Sequence, residues 1–145
     1  MLGIPSVSIC KGASVNLVAT GANTYIWSPA TGLNSSTGAT VNANPTATTT
    51  YTLTGTLLGC PDTSTIIVVT VNALPILVCT DSSSICIGNS VVLTAGGANT
   101  YTWIPAAGLS NTSGSTVAAS PIVTTTYVVT GTSVFGCEDS IMTLV

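Results

Sequence analysis

Very little in this chain can do covalent or acid–base chemistry, and what there is lies scattered. Among 145 residues there are five cysteines, four acids, one cation and no histidine. The cation is Lys11, and the acids are Asp62, Asp81, Glu138 and Asp139. General acid–base catalysis draws on an imidazole or on carboxyls with shifted pKa values. Glu138 and Asp139 are adjacent, and neighbours on a strand face opposite sides. A serine or threonine nucleophile would have no base to activate it. A calcium loop needs several carboxylates close together, and no D-x-D-x-D run occurs. The cysteines lack C-x-x-C spacing and have no histidine to complete a zinc site. The expectation is no catalysis, no cofactor and no metal.

The elements that carry these residues come in duplicate. "TYIWSPATGL" from Thr24 returns as "TYTWIPAAGL" from Thr100. "ICKGASVNLVATGANTYIW" (Ile9 to Trp27) matches "ICIGNSVVLTAGGANTYTW" (Ile85 to Trp103) without a gap. "NPTATTTYTLTGT" from Asn44 matches "SPIVTTTYVVTGT" from Ser120 in the same register, and after one inserted residue "LGCPD" answers "FGCED". A repeat of this length is a small sandwich domain, longer than a solenoid turn. Two domains are expected, 1–72 and 73–145, divided near Asn72 to Pro75. The second stops a few residues before the equivalent of Val71, so its last strand reads as truncated and both ends read as cut from a longer array.

Each copy is patterned as strands. Val15, Leu17 and Ala19 alternate with polar neighbours, and Val91, Leu93 and Ala95 repeat the set. Tyr25 and Trp27 share a face, as do Tyr101 and Trp103. Val41 with Ala43, and Tyr51 with Leu53 and Gly55, follow the same rule. "STIIVVTV" (Ser64 to Val71) is apolar on both parities, so its inward face stays open. No stretch has useful helical periodicity. Short strands at regular spacing with a core Trp on the third predict an all-β, seven-strand-like antiparallel sandwich in each half. Trp27, Trp103, Tyr51 and Tyr127 are the expected large core residues, the two tyrosines falling where a tyrosine corner sits.

The charged fraction is 3%, against about 25% in ordinary soluble domains. With one cation there is no basic patch for nucleic acid or for an anionic membrane surface. The longest apolar run, Ile66 to Cys79, is broken by Asn72 and Pro75 and is too short to span a bilayer. "MLGIPSVSIC" has neither the basic start nor the long apolar run of a signal peptide.

Four landmarks, "IC-x-G-x-SV-x-L", "TY-x-W-x-P", "TTTY" and the "GC" turn, occur in both halves. Together they resemble the tandem Ig-like or PKD-like repeats of large secreted cell-surface proteins of Bacteroidota, of the gliding and adhesin type. The resemblance covers nearly the whole chain, twice. It implies two sandwiches head to tail, an extracellular or cell-surface location, and export by type IX secretion. The C-terminal sorting domain common in such proteins is missing here.

The cysteines then admit two pairings. Cys10 and Cys86 are counterparts, as are Cys60 and Cys137, and such pairs suggest disulfides formed in an oxidising compartment. Spacing alone favours Cys10–Cys60 and Cys86–Cys137, each within a domain. Ig-like strand order objects, because it puts the first-turn and last-turn cysteines of one domain at opposite ends. A strand of about 7 residues separates them by about 23 Å, whereas a disulfide needs Cα atoms within about 7 Å. The preferred reading is an inter-domain Cys10–Cys137 bond, with Cys60 and Cys86 left for neighbouring repeats and Cys79 unpaired. Intra-domain bonds and free thiols stay open.

The function expected is structural. The chain reads as a repeat segment of an extracellular adhesin or surface filament, serving as a stiff spacer and display rod. Its partners are neighbouring repeats and other copies in a fibre. The alternative is a glycan- or protein-binding module using the loops Ser28 to Gly38 and Ile104 to Gly114. Asn34 and Asn111 lie in N-glycosylation patterns. "DSI" at Asp139 is similar to the short O-glycosylation signal of Bacteroidota, which marks Ser140.

Overall fold

The computed structural model describes residues 6–58 and 62–145. The chain divides into two compact units, Met1–Ala73 and Leu74–Val145. Every named element is a strand. Unit 1 holds β1 (Val7–Cys10), β2 (Val15–Val18), β3 (Thr24–Ser28), β4 (Thr40–Ala43), β5 (Thr49–Thr56) and β6 (Thr63–Asn72). Unit 2 holds β7 (Val78–Cys79), β8 (Val91–Gly96), β9 (Thr100–Ile104), β10 (Thr116–Ala119), β11 (Thr126–Thr132) and β12 (Glu138–Leu144).

Both units are Ig-like sandwiches. In unit 1 one sheet has the order β1-β6-β5-β3 and faces the pair β2-β4. In unit 2 the order β12-β11-β9 faces β10-β8-β7. The first strand of each unit therefore joins a different sheet. β1 runs parallel to β6, with Val7 opposite Val69 and Cys10 opposite Asn72. β7 instead pairs antiparallel with β8, Val78 opposite Gly96.

The alternation read from sequence becomes the core. Leu17, Trp27, Val41, Tyr51, Leu53, Ile67 and Val69 interlock in unit 1, each no more than 1% exposed. Leu93, Trp103, Val117, Tyr127 and Val129 interlock in unit 2, each no more than 2% exposed. Each large aromatic removes roughly 150–250 Å² from water, which at about 25 cal/mol per Å² is on the order of 4–6 kcal/mol per ring as an upper bound. The open parity of "STIIVVTV" resolves with Ile67 and Val69 inward and Ile66 outward.

Six strands form in each unit among the described residues, where seven were expected. The fourth strand of a seven-strand sandwich is reduced to single bridges. Leu33 meets Ala43 and Ile26 meets Thr37 in unit 1, and Leu109 meets Ala119 and Thr102 meets Ser113 in unit 2. The physical reason lies in the segment Pro29 to Gly38. Gly32 and Gly38 both take positive φ there. A continuous ladder does not form through such a backbone.

With so few charges, exposed strand faces are tied by hydroxyls and amides. Thr54 and Ser64 meet across strands at 3.1 Å, and their counterparts Thr130 and Ser140 at 2.9 Å. The Asn42 amide donates to Asn16 Oδ1 at 2.9 Å. Such cross-strand pairs contribute a few tenths of a kcal/mol to about 1 kcal/mol each.

Candidate functional site

No cluster of three histidine, cysteine or acidic side chains exists among the described residues. Asp139 Oδ1 accepts the N–H of Ser140 (2.8 Å), and Glu138 Oε1 accepts from Thr132 Oγ1 (3.2 Å). Asp62, Glu138 and Asp139 are all exposed. The sequence pairing of Asp62 with Asp139 needs correction. Gly55 opposes Thr63 and its counterpart Gly131 opposes Asp139, so Thr63 is the residue equivalent to Asp139.

Cys10 ends β1 and Cys137 immediately precedes β12; both are disulfide-bonded. Cys79 and Cys86 are free thiols. A Cys86–Cys137 bond, one of the two intra-domain pairings, is thus not formed. Cys60 lies outside the described residues. The half-buried Cys79 thiol donates to Met142 O at 3.6 Å. Its pKa is raised, first by burial and then by the Asp81 carboxylate. Cys86 is exposed.

The long loops proved to be braced. Trp27 Nε1–H donates to Gly38 O (2.9 Å) and Trp27 N–H to Ser36 O (2.8 Å). Tyr51 O–H donates to Thr31 O at 2.7 Å. Unit 2 repeats each bond: Trp103 Nε1–H to Gly114 O at 2.9 Å, Trp103 N–H to Thr112 O at 2.9 Å, and Tyr127 O–H to Ala107 O at 2.7 Å. The core aromatics of the sequence reading therefore also position the loops. Burial pushes the Tyr51 and Tyr127 hydroxyls up in pKa, partly offset by hydrogen bonds from Thr49 and Thr125.

This geometry corrects the tyrosine-corner reading. The Tyr51 hydroxyl reaches 20 residues upstream, not the few residues of that motif. The tyrosine that closes a local turn is Tyr25, whose hydroxyl accepts from Ala22 N–H (2.8 Å) and donates to Ala22 O (3.1 Å). Tyr101 does the same with Ala98.

Beside this turn each unit carries the same shallow cleft. In unit 1 it measures about 430 Å³, with Asn23 and Tyr25 on one wall and Thr37 and Gly38 on the other. In unit 2 it measures about 520 Å³, walled by Asn99, Tyr101, Ser113 and Gly114. Only the ends of the expected binding loops reach these clefts. Asn23, Tyr25 and their counterparts were missed as site residues. The signal was present in "GANTY", identical at Gly21 and Gly97, but it reads equally well as a turn into a strand. The clefts offer amides, hydroxyls and an aromatic edge, with no charged side chain on their walls, which suits hydrogen bonding to a neutral ligand.

The modification candidates are exposed. Asn34 Oδ1 accepts Asn42 N–H at 2.7 Å, and Asn111 Oδ1 accepts Ser113 N–H at 3.3 Å. The Ser140 hydroxyl pairs with Thr130. No helix among the described residues is long and apolar enough to cross a membrane.

No protein-family model matches this sequence. No curated protein matches it either. Solved structures similar in fold include the IG1+IG2 fragment of DIP-gamma, 12% identical over 96% of this chain and 91% of that one, with a TM-score of 0.43. Sidekick-1 immunoglobulin domains 1–4 are 15% identical over 99% of this chain and 47% of that one, with a TM-score of 0.47. The titin fragment A168169 is 16% identical over 99% of this chain and 94% of that one, with a TM-score of 0.39.

Proposed function

We propose that this chain is a structural repeat segment of an extracellular adhesin or surface filament, a stiff non-catalytic spacer that carries tension between its ends. The finer assignment, a gliding- or adhesin-type surface protein of Bacteroidota exported by type IX secretion, rests on the sequence landmarks alone. We further propose that Cys10 pairs with Cys137 and joins the two units covalently. The observation that carries this reading is the state of the sulfurs: Cys10 and Cys137 are disulfide-bonded while Cys79 and Cys86 are thiols. Two self-contained cores of one design support it as well. A bond closing on the order of 100 residues is worth about 4–5 kcal/mol in the chain-entropy model.

Single-molecule pulling between the termini tests the reading. Under oxidising conditions the staple should shield both units, and no unit-length extension should appear. After reduction, two steps should appear, each of about 20–25 nm for roughly 70 residues at about 3.3–3.6 Å per residue. Two full steps under oxidising conditions would contradict the staple.

A second reading has one observation in its favour. The cleft beside "GANTY" recurs in both units with the same polar walls, as a repeated glycan- or protein-binding site would. A paired Asn23→Ala and Asn99→Ala variant that loses binding across a panel of neutral glycans would support it. A panel that binds neither protein would remove it.

A further inference from the structure

The two clefts beside "GANTY" share a backbone and differ in what their side chains have left to offer. Asn23 and Asn99 stand alike at the base of a hairpin. Each donates its N–H at 2.9 Å, Asn23 to Thr56 O and Asn99 to Thr132 O. What caps the hairpin differs. In unit 1 the Leu58 N–H turns to Asn23 Oδ1 at 3.2 Å. In unit 2 a serine, Ser133, stands where unit 1 has Leu57. Its Oγ accepts from Phe135 N–H (3.3 Å) and Cys137 N–H (3.2 Å), so this hairpin caps itself. The Asn99 side chain is left exposed and makes no hydrogen bond among the described residues.

Three hydroxyls join Asn99 around the unit 2 cleft, those of Thr100, Ser113 and Ser115. They too are exposed and take no partner among the described residues. A hydroxyl or a carboxamide both donates and accepts. Unit 1 keeps the shape of the cleft without this ring. Ala39 stands in place of Ser115, the Asn23 oxygen is engaged, and Ile26, 56% exposed, joins the wall.

The unit 2 cleft is also fixed from behind. The Tyr101 hydroxyl accepts the Ala98 N–H and donates to the Ala98 carbonyl. The Ala98 side chain is packed against Gly131, where an added Cβ would lie 2.8 Å from Ala98 Cβ and closer still to Leu77. On the other wall Gly114 N–H donates to Tyr101 O (3.1 Å), and Gly114 O accepts from Trp103 Nε1–H (2.9 Å). A site held in place beforehand loses less freedom when a ligand arrives.

We propose that the unit 2 cleft takes one neutral sugar residue of a glycan, that Asn99 is its specificity-determining residue, and that the unit 1 cleft does not share this role. The proposal rests on the glycan reading of the twin clefts and narrows it. Uncharged groups that both donate and accept match the hydroxyls of a sugar, and Ala98 with the Tyr101 edge meets its C–H face. A peptide added as a strand would need open backbone groups, and both of those on Gly114 are engaged. A charged ligand would find no counter-charge on these walls. The volume of about 520 Å³ lies within the range of small-molecule sites, about 300–1,000 Å³.

The experiment titrates the intact, isotope-labelled chain with maltose, cellobiose, N-acetylglucosamine and methyl α-mannoside, following backbone amide shifts by NMR. Saturable shifts are expected at Asn99, Thr100, Ser113 and Ser115 with at least one of these sugars, without matching shifts at Asn23, Thr24, Thr37 and Ala39. Asn99→Ala and Ser115→Ala should each weaken that binding by about tenfold or more. Both residues are exposed, and alanine is what unit 1 carries opposite Ser115, so both variants should fold. Affinity unchanged in Asn99→Ala would overturn the role of Asn99. Equal saturable shifts in both clefts would overturn the restriction to unit 2 and leave the twin-cleft reading standing. Shifts in neither cleft with any of these sugars would overturn both.

Discussion

Thr143 occupies in unit 2 the core position that Ile67 occupies in unit 1. Ile67 lies opposite Tyr51, and Thr143 lies opposite Tyr127. Ile67 is fully buried and Thr143 is 4% exposed. The Thr143 hydroxyl has no hydrogen-bond partner. A buried hydroxyl left unpaired costs about 1–3 kcal/mol. Thr143→Val keeps the shape and removes that cost, so unit 2 should gain about 1 kcal/mol or more in denaturant unfolding. The reverse change, Ile67→Thr, should cost unit 1 about 2–3 kcal/mol through lost apolar burial and a new unpaired hydroxyl.

The pattern of what sequence shows and hides follows from such pairs. β3 and β5 were legible because polar and apolar residues alternate at period 2 and the whole segment recurs. β6 was not, because Ile66, Ile67, Val68 and Val69 are all apolar, and only pairing with β1 and β5 decides which of them turn inward. The bracing of the loops was invisible because its acceptors, Gly38 O and Thr31 O, are backbone atoms that any residue carries. The register of Asp139 misled because the "GC" turn invites alignment on its cysteines, while the strands beyond it return to the original spacing. Of the candidate site, "GANTY" was visible as an exact repeat, but the wall it shares with Thr37 and Gly38 exists only after β3 and the loop fold together.

Alkaline pH should weaken both units. Tyr51 and Tyr127 have raised folded-state pKa values, burial being the larger cause. Raised values mean that the folded state holds its phenolic protons longer than the unfolded chain does. Their contribution is therefore complete below about pH 10 and is lost as pH rises from there through the folded-state values. Urea unfolding at a series of pH values from 8 to 12 checks this. Stability that stays flat across the series would contradict it.

Two glycines of unit 2 separate backbone conformation from crowding. Gly114 has φ +101° with nothing within 4 Å of an added Cβ. Gly108 has φ +74°, and an added Cβ would lie 2.9 Å from the Pro121 backbone. Gly114→Ala should cost about 1 kcal/mol, the conformational penalty alone. Gly108→Ala should cost about 1–3 kcal/mol more, because the Pro121 backbone must shift. Equal losses would show that the contact carries no weight.

The two free thiols among the described residues should label at different rates. Cys86 is exposed, whereas the Cys79 thiol is half-buried and its pKa is raised by burial and by Asp81. The thiolate is the reactive form, so alkylation near pH 8 should modify Cys86 about tenfold faster or more. Asp81→Asn should narrow the gap by removing the charge that opposes thiolate formation. Comparable rates in the native protein would place Cys79 in a more open setting than the structure gives it.

The staple between the units is tested most directly by non-reducing peptide mapping. The chain is digested with pepsin at low pH, where thiol–disulfide exchange is suppressed because little thiolate remains. A peptide containing Cys10 linked to one containing Cys137 is the expected product, with Cys79 and Cys86 recovered as thiols. A Cys10 peptide linked to Cys60 would contradict the account, because that bond lies within unit 1 and nothing covalent beyond the chain itself would join the two units.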